Sequence, residues 1–160
     1  VTLLRVEGFD GYVTHRSQGL ARVLKEFGAA RIEEGPGHWS SVRDAALVGE
    51  QAGVVWRISV KPTDGVRVVE ALPEAETLLD WAGGLVWALV PEGRDVRAAL
   101  AGIPGHATLV RASEDAVRRW GRFHPEPPPI AALSAGLRAR FDPAGILNPG
   151  LMGQAAPVAA

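Results

Sequence analysis

The sequence predicts an α+β fold: a mostly antiparallel sheet with helices packed on one face, closed at the C-terminal end by a helical clasp. Three observations carry this. Short apolar runs rich in β-branched and aromatic residues alternate with runs whose apolar residues recur every three or four positions. The strand–helix–strand order recurs three times. The last helical run ends in Phe141-Asp142-Pro143-Ala144-Gly145-Ile146-Leu147-Asn148-Pro149-Gly150, two turns around an apolar pair.

Composition bounds the answer first. A chain of 160 residues is long enough for one domain with a core and short for two. It is 47% apolar and 22% charged, as a globular protein is. A net charge of -1 gives no electrostatic footprint for nucleic acid. The absence of cysteine excludes disulfides, thiolate metal sites, cysteine nucleophiles and iron–sulfur ligation by these residues. The chain opens at Val1 directly into an apolar stretch and reads as a piece cut from a larger protein.

Thr2 to Glu7 reads as a strand, broken at Gly8. From Asp10 to Phe27 the pattern is helical, with Val13, Leu20, Val23, Leu24 and Phe27 on one face and Gly28 as its stop. Ala30 to Glu34 reads as a second strand. After Gly35-Pro36-Gly37, Trp39 to Leu47 reads as a short helix, and Gly53 to Val60 as a strand. Pro62-Thr63-Asp64 starts a helix with Val66, Val69 and Leu72 on its inner side. Glu76 to Ala82 and Leu85 to Val90 form a hairpin across Gly83-Gly84. Pro91 and Glu92 open a helix that buries Val96, Ala99 and Leu100, and His106 to Arg111 is the last strand. Ser113 caps a helix carrying Val117 and Trp120. A stiff connector, Pro127-Pro128-Pro129, leads to a final helix striped by Ile130, Leu133, Leu137 and Phe141. The units are ferredoxin-like in their order. Residues 1–122 form the α+β part, 123–152 the connector, helix and clasp, and 153–160 a flexible tail.

In the clasp, Asp142 before Pro143 is a helix-start signal. Gly145 limits that turn, Ile146 and Leu147 are its buried anchor, and Asn148-Pro149-Gly150 is a turn suited to positive φ. This run resembles the C-terminal signature of FAD-linked oxidases of the vanillyl-alcohol-oxidase class; it departs at Leu151, where that family carries a basic residue. Four further stretches extend the resemblance: Trp39-Ser40-Ser41-Val42-Arg43-Asp44, Val55-Trp56-Arg57-Ile58-Ser59-Val60, Leu79-Asp80-Trp81-Ala82-Gly83-Gly84-Leu85-Val86-Trp87 and Gly105-His106-Ala107-Thr108-Leu109-Val110-Arg111. In their order and spacing they resemble the C-terminal half of the smaller flavoprotein-like subunit of bacterial glycolate oxidase, from about Val1 to Met152.

The resemblance implies a substrate ("cap") domain whose FAD domain lies upstream, and no glycine-rich phosphate cradle occurs in these residues. It implies oxidation of a small 2-hydroxy acid to a 2-oxo acid with FAD as hydride acceptor. The implied partners are the chain's own upstream FAD domain, a larger flavin subunit and an iron–sulfur subunit. The implied location is cytoplasmic, peripheral to the inner membrane through those subunits. The piece alone is expected to be inactive and not to hold FAD tightly.

The residues themselves nominate a site. Trp39 and Arg43, four apart, share a helix face; the arginine suits a substrate carboxylate, or simply stacks on the indole. Arg57 and Ser59 share one strand face, turned to flavin, acid substrate or solvent, with Trp56 and Ile58 on the other. His106, after Gly105 at a strand start, is the acid–base candidate. It matches in part the glycine–histidine motif of related 2-hydroxy-acid dehydrogenases, with Ala107-Thr108 where an acidic residue follows there. Trp56, Gly105, His106, Asn148 and Gly150 are the expected cofactor contacts. A metal on His106, His124 and a carboxylate is an alternative; His15, His38, His106 and His124 show no ligand spacing, and no metal is expected. The rival reading is a non-catalytic ligand-binding or dimerisation module, which five tryptophans would suit.

Overall fold

A computed structural model describes residues 1–151, and the chain divides into two units, Val1–Ser40 and Ser41–Ala160. The tail expected over 153–160 lies outside the described residues.

The first unit holds one long helix, α1 (Asp10–Leu24), prolonged by a single 3-10 turn over Lys25–Phe27. Asp10 in its first turn and Arg22 in its last both complement the helix dipole. The strands expected at Thr2–Glu7 and Ala30–Glu34 do not form. Neither segment finds a ladder to join, and a lone strand leaves its amides without partners. Of the expected inner face, Val13, Leu20 and Leu24 are half-buried while Val23 and Phe27 are exposed.

Helix α2 (Trp39–Arg43) spans the division. The single helix expected over Trp39 to Leu47 is in fact two, because Ala45 takes a left-handed φ of 48° before α3 (Ala46–Gly49). The second unit then runs β1 (Val54–Val60), a 3-10 turn over Pro62–Asp64, α4 (Gly65–Ala71), β2 (Glu76–Asp80), a turn over Trp81–Gly83, β3 (Leu85–Val90), α5 (Val96–Ala99), β4 (Gly105–Arg111), α6 (Glu114–Trp120) and α7 (Pro128–Phe141). The sheet order is β2-β3-β1-β4, with every neighbouring pair antiparallel. This is the β–α–β–β–α–β order of a ferredoxin-like unit, begun at β1.

The pleat sorts the side chains. Val54, Trp56 and Ile58 of β1, Val86, Ala88 and Val90 of β3, and Ala107 and Leu109 of β4 form the main core. Val68 and Leu72 of the α4 region and Val96 and Leu100 of the α5 region close it. The inner side of α4 is therefore Val68 and Leu72, not Val66, which is exposed; the turn at Pro62–Asp64 sets the helix phase. Asp95 caps α5 through Ala98 N–H (3.1 Å), and Ser113 caps α6 through Ala116 N–H (3.2 Å). A Cβ on Gly65 would collide with the Gly83 backbone, so α4 and the β2–β3 turn meet at a distance only glycine allows.

α7 forms where expected, but Ile130, Leu133, Leu137 and Phe141 are all exposed. The clasp differs from expectation. No helix starts at Asp142; it ends α7, and its carboxylate accepts the N–H groups of Ile146 and Leu147, both at 2.9 Å. Those two side chains are exposed rather than buried. The turn chemistry holds: Gly145, Asn148 and Gly150 have φ of 64°, 48° and 79°.

Candidate functional site on the second sheet face

Register decides which residues share the face opposite the main core. Arg57 stands across from Trp87 on β3 and Thr108 on β4. Ser59 stands across from Leu85 and His106. Arg57, Ser59, Thr108 and His106 thus lie on one face, and Arg57 and His106 are diagonal neighbours, roughly 7–8 Å apart at the backbone. Ala45 and Val48, at α3, cover the end of this face at Val55 and Leu89. Arg57, Ser59, Trp87 and Thr108 are half-buried.

Arg57 is set apart by what it lacks. Arg57, Arg94, Arg97, Arg111 and Arg122 are the half-buried arginines of the described residues. Arg94 pairs with Glu74, Arg122 donates to the Val110 carbonyl, and Arg111 donates to carbonyls of Val48, Gly49, Gln51 and Gly53. Arg97 donates to the carbonyls of Ala107 (3.0 Å), Trp120, Gly121 (3.3 Å) and Arg122 (2.9 Å). Among the described residues Arg57 has only the ring of Trp81, 5.5 Å from its guanidinium carbon. Its N–H donors are free for a ligand, and a guanidinium receives a carboxylate with two parallel bonds.

His106 lies at the β4 edge beside His124. The Ala107 N–H donates to His124 Nδ1 (3.3 Å), which requires that nitrogen to be unprotonated. Burial first, then the nearby Arg97 and His106 side chains, hold the His124 pKa below its ordinary value. The cavity here, lined by Ile58, Arg97, Gly105, His106 and His124 among others, has a volume of about 30 Å³. That is room for one water. Burial also lowers the Arg97 pKa, partly offset by Asp95.

Other expected site residues go elsewhere. Trp56 is fully buried, with its ring 6.1 Å from that of Trp120 and Arg97 over it at 5.0 Å; its position removes it from the cofactor contacts. Gly105 serves the sheet itself, since a Cβ there would strike the Ser59 carbonyl and the Val60 side chain. Trp39 stacks under Arg5 (5.7 Å), not on Arg43. Arg43 is exposed and makes two bonds to Asp44 (2.7 and 2.9 Å), and that hydrogen bonding holds the Asp44 carboxyl below its usual range. Asn148 and Gly150 shape an exposed turn, with Leu151 N–H on the Asn148 carbonyl (3.2 Å). Sequence reasoning misses Arg97, which carries no local signal, and the stacking of Trp81 on Arg57, which needs the β1–β3 register.

A flavin does not fit the described cavity beside His106: about 30 Å³ is far below the several hundred Å³ of a cofactor pocket. The fold is an α+β sheet module whose second face, half-buried at Arg57, Ser59 and Thr108, carries an arginine with no hydrogen-bond or ion-pair partner among the described residues and, at its β4 edge, a histidine.

Sequence comparison places the chain beside a glycolate oxidase component. Over 116 residues, 71% of this chain, it is 32% identical to the glycolate oxidase subunit GlcE of Escherichia coli (strain K12). The match takes in 30% of that protein, so the chain spans less than a third of the relative it resembles. No family model and no solved structure matches the chain. No helix among the described residues is long and apolar enough to cross a membrane.

Proposed function

We propose that this chain is the cap segment of a glycolate oxidase-type flavoprotein, and that its second sheet face covers the substrate. The observation that carries the reading is Arg57, a half-buried arginine with no hydrogen-bond or ion-pair partner among the described residues, on the second sheet face of a chain similar to glycolate oxidase subunit GlcE. The reaction is oxidation of a small 2-hydroxy acid to the 2-oxo acid, with FAD, held mainly by residues outside this chain, as hydride acceptor.

The chain's own part is to bind, orient and move one proton. Arg57 takes the substrate carboxylate through its paired N–H donors. Ser59 and Thr108 flank it with hydroxyls. His106, diagonal to Arg57 in the β1–β4 register, accepts the proton of the substrate hydroxyl. The exposed residues of α7 and of Ile146-Leu147 return the chain to the FAD domain of the same polypeptide. Such a chain would work beside a larger flavin subunit and an iron–sulfur subunit, which would supply the onward path for electrons. On this reading the 160 residues alone would neither hold FAD tightly nor turn over glycolate.

The test is an absorption spectrum of the complete polypeptide from its source. A band near about 450 nm that bleaches on adding glycolate supports the reading. A colourless protein of 16.9 kDa that forms a stable pair in solution refutes it and favours the dimerisation module.

A further inference from the structure

We infer that Trp81 is a positioning residue: a strained turn presses its indole over Arg57 and fixes the donor edge that receives a small carboxylate. This rests on the reading of Arg57 given above and deepens it.

Trp81 and Ala82 have φ of 51° and 53°. Two successive non-glycine residues in the left-handed region are uncommon, and a bulky tryptophan there is an outlier. Such backbone persists only where its surroundings hold it, and it gathers at ligand sites. Here the surroundings are explicit. The Asp80 carboxylate accepts the Trp81 N–H at 2.7 Å. Gly84 N–H donates to the Trp81 carbonyl at 3.0 Å, and Val60 N–H to the Gly84 carbonyl at 3.0 Å, so the turn is tied to the end of β1. Gly83 backs onto Pro62, where an added Cβ would stand 2.7 Å from the carbonyl oxygen.

The strain does not serve burial, because Trp81 is 62% exposed. What the turn achieves is the stack on Arg57. An indole face orients the guanidinium without occupying any N–H, so the arginine is held yet keeps its donors free. Trp87, across the register from Arg57, supplies a second apolar neighbour. The site therefore suits a carboxylate with a short remainder.

The experiment uses the complete polypeptide and the variants Trp81→Ala, Trp81→Phe and Arg57→Ala. Turnover on glycolate is measured beside calorimetric titration with glycolate, which needs no activity. Trp81→Ala raises KM and Kd for glycolate about two- to fivefold, with kcat unchanged within error. Trp81→Phe restores most of the affinity, which a loss of mere bulk structure would not. If Arg57→Ala weakens glycolate binding and Trp81→Ala does not, the bracing role is wrong and the Arg57 site stands. If wild type binds no glycolate, or neither variant changes KM and Kd, both are wrong. A fall in kcat at unchanged KM for Trp81→Ala also overturns the positioning role.

Discussion

Trp56 and Arg57 are adjacent in the chain, and the pleat of β1 sends them to opposite faces. Trp56 fills the core, so Trp56→Ala leaves a large cavity. It should cost about 3–5 kcal/mol, read as a shift of the urea midpoint at unchanged slope. Gly105→Ala adds a methyl against the Ser59 carbonyl and should cost about 1–3 kcal/mol by the same measurement. His124 gives the pH dependence. Its folded pKa lies below the ordinary 6.5, so the unfolded chain binds the proton first as pH falls. The stability tied to this residue is complete above pH 6.5 and lost as pH drops below it toward the folded value. Urea midpoints measured stepwise from pH 8 downward should fall below about pH 6.5, and less so in His124→Gln.

At the scale of elements, β4 is an edge strand with its own latch. Arg97 gathers the carbonyls of Ala107, Trp120, Gly121 and Arg122, and Leu109 N–H donates to the Arg122 carbonyl at 2.8 Å. Arg97→Ala should cost about 2–3 kcal/mol and speed hydrogen exchange at Ala107 and Leu109, with β2 and β3 amides unchanged. The strands β1, β3 and β4 are legible from runs containing β-branched residues, β2 from its hairpin turn at Gly83-Gly84, and the Ser113 cap from its own residues, because these signals are local. Thr2–Glu7 and Ala30–Glu34 read as strands for the same reason and are not, since a strand needs a partner that composition does not supply. The inner face of α4 is not legible from period alone, because the turn before it sets the helix phase. The stripe on α7 has the period of a core stripe and is exposed; period does not say whether the covering surface is in the same residues. Replacing Leu133 and Leu137 with serine should change the stability of this chain by less than about 0.5 kcal/mol each, because neither is buried.

At the scale of the molecule, the candidate site is a property of register. Arg57, Ser59 and His106 are each visible in the sequence, and that Arg57 and Ser59 share a face follows from β1 alone. That His106 joins them requires the pairing of β1 with β4. The role of Trp81 requires the turn conformation as well. In the proposed function this face receives the carboxylate of a small 2-hydroxy acid at Arg57. The most direct measurement is the glycolate KM of the complete polypeptide with and without Arg57→Ala, at matched flavin content. Arg57→Ala should raise it about 100-fold through the loss of a charge-assisted bidentate contact. An unchanged KM would place the carboxylate elsewhere and contradict the proposed function.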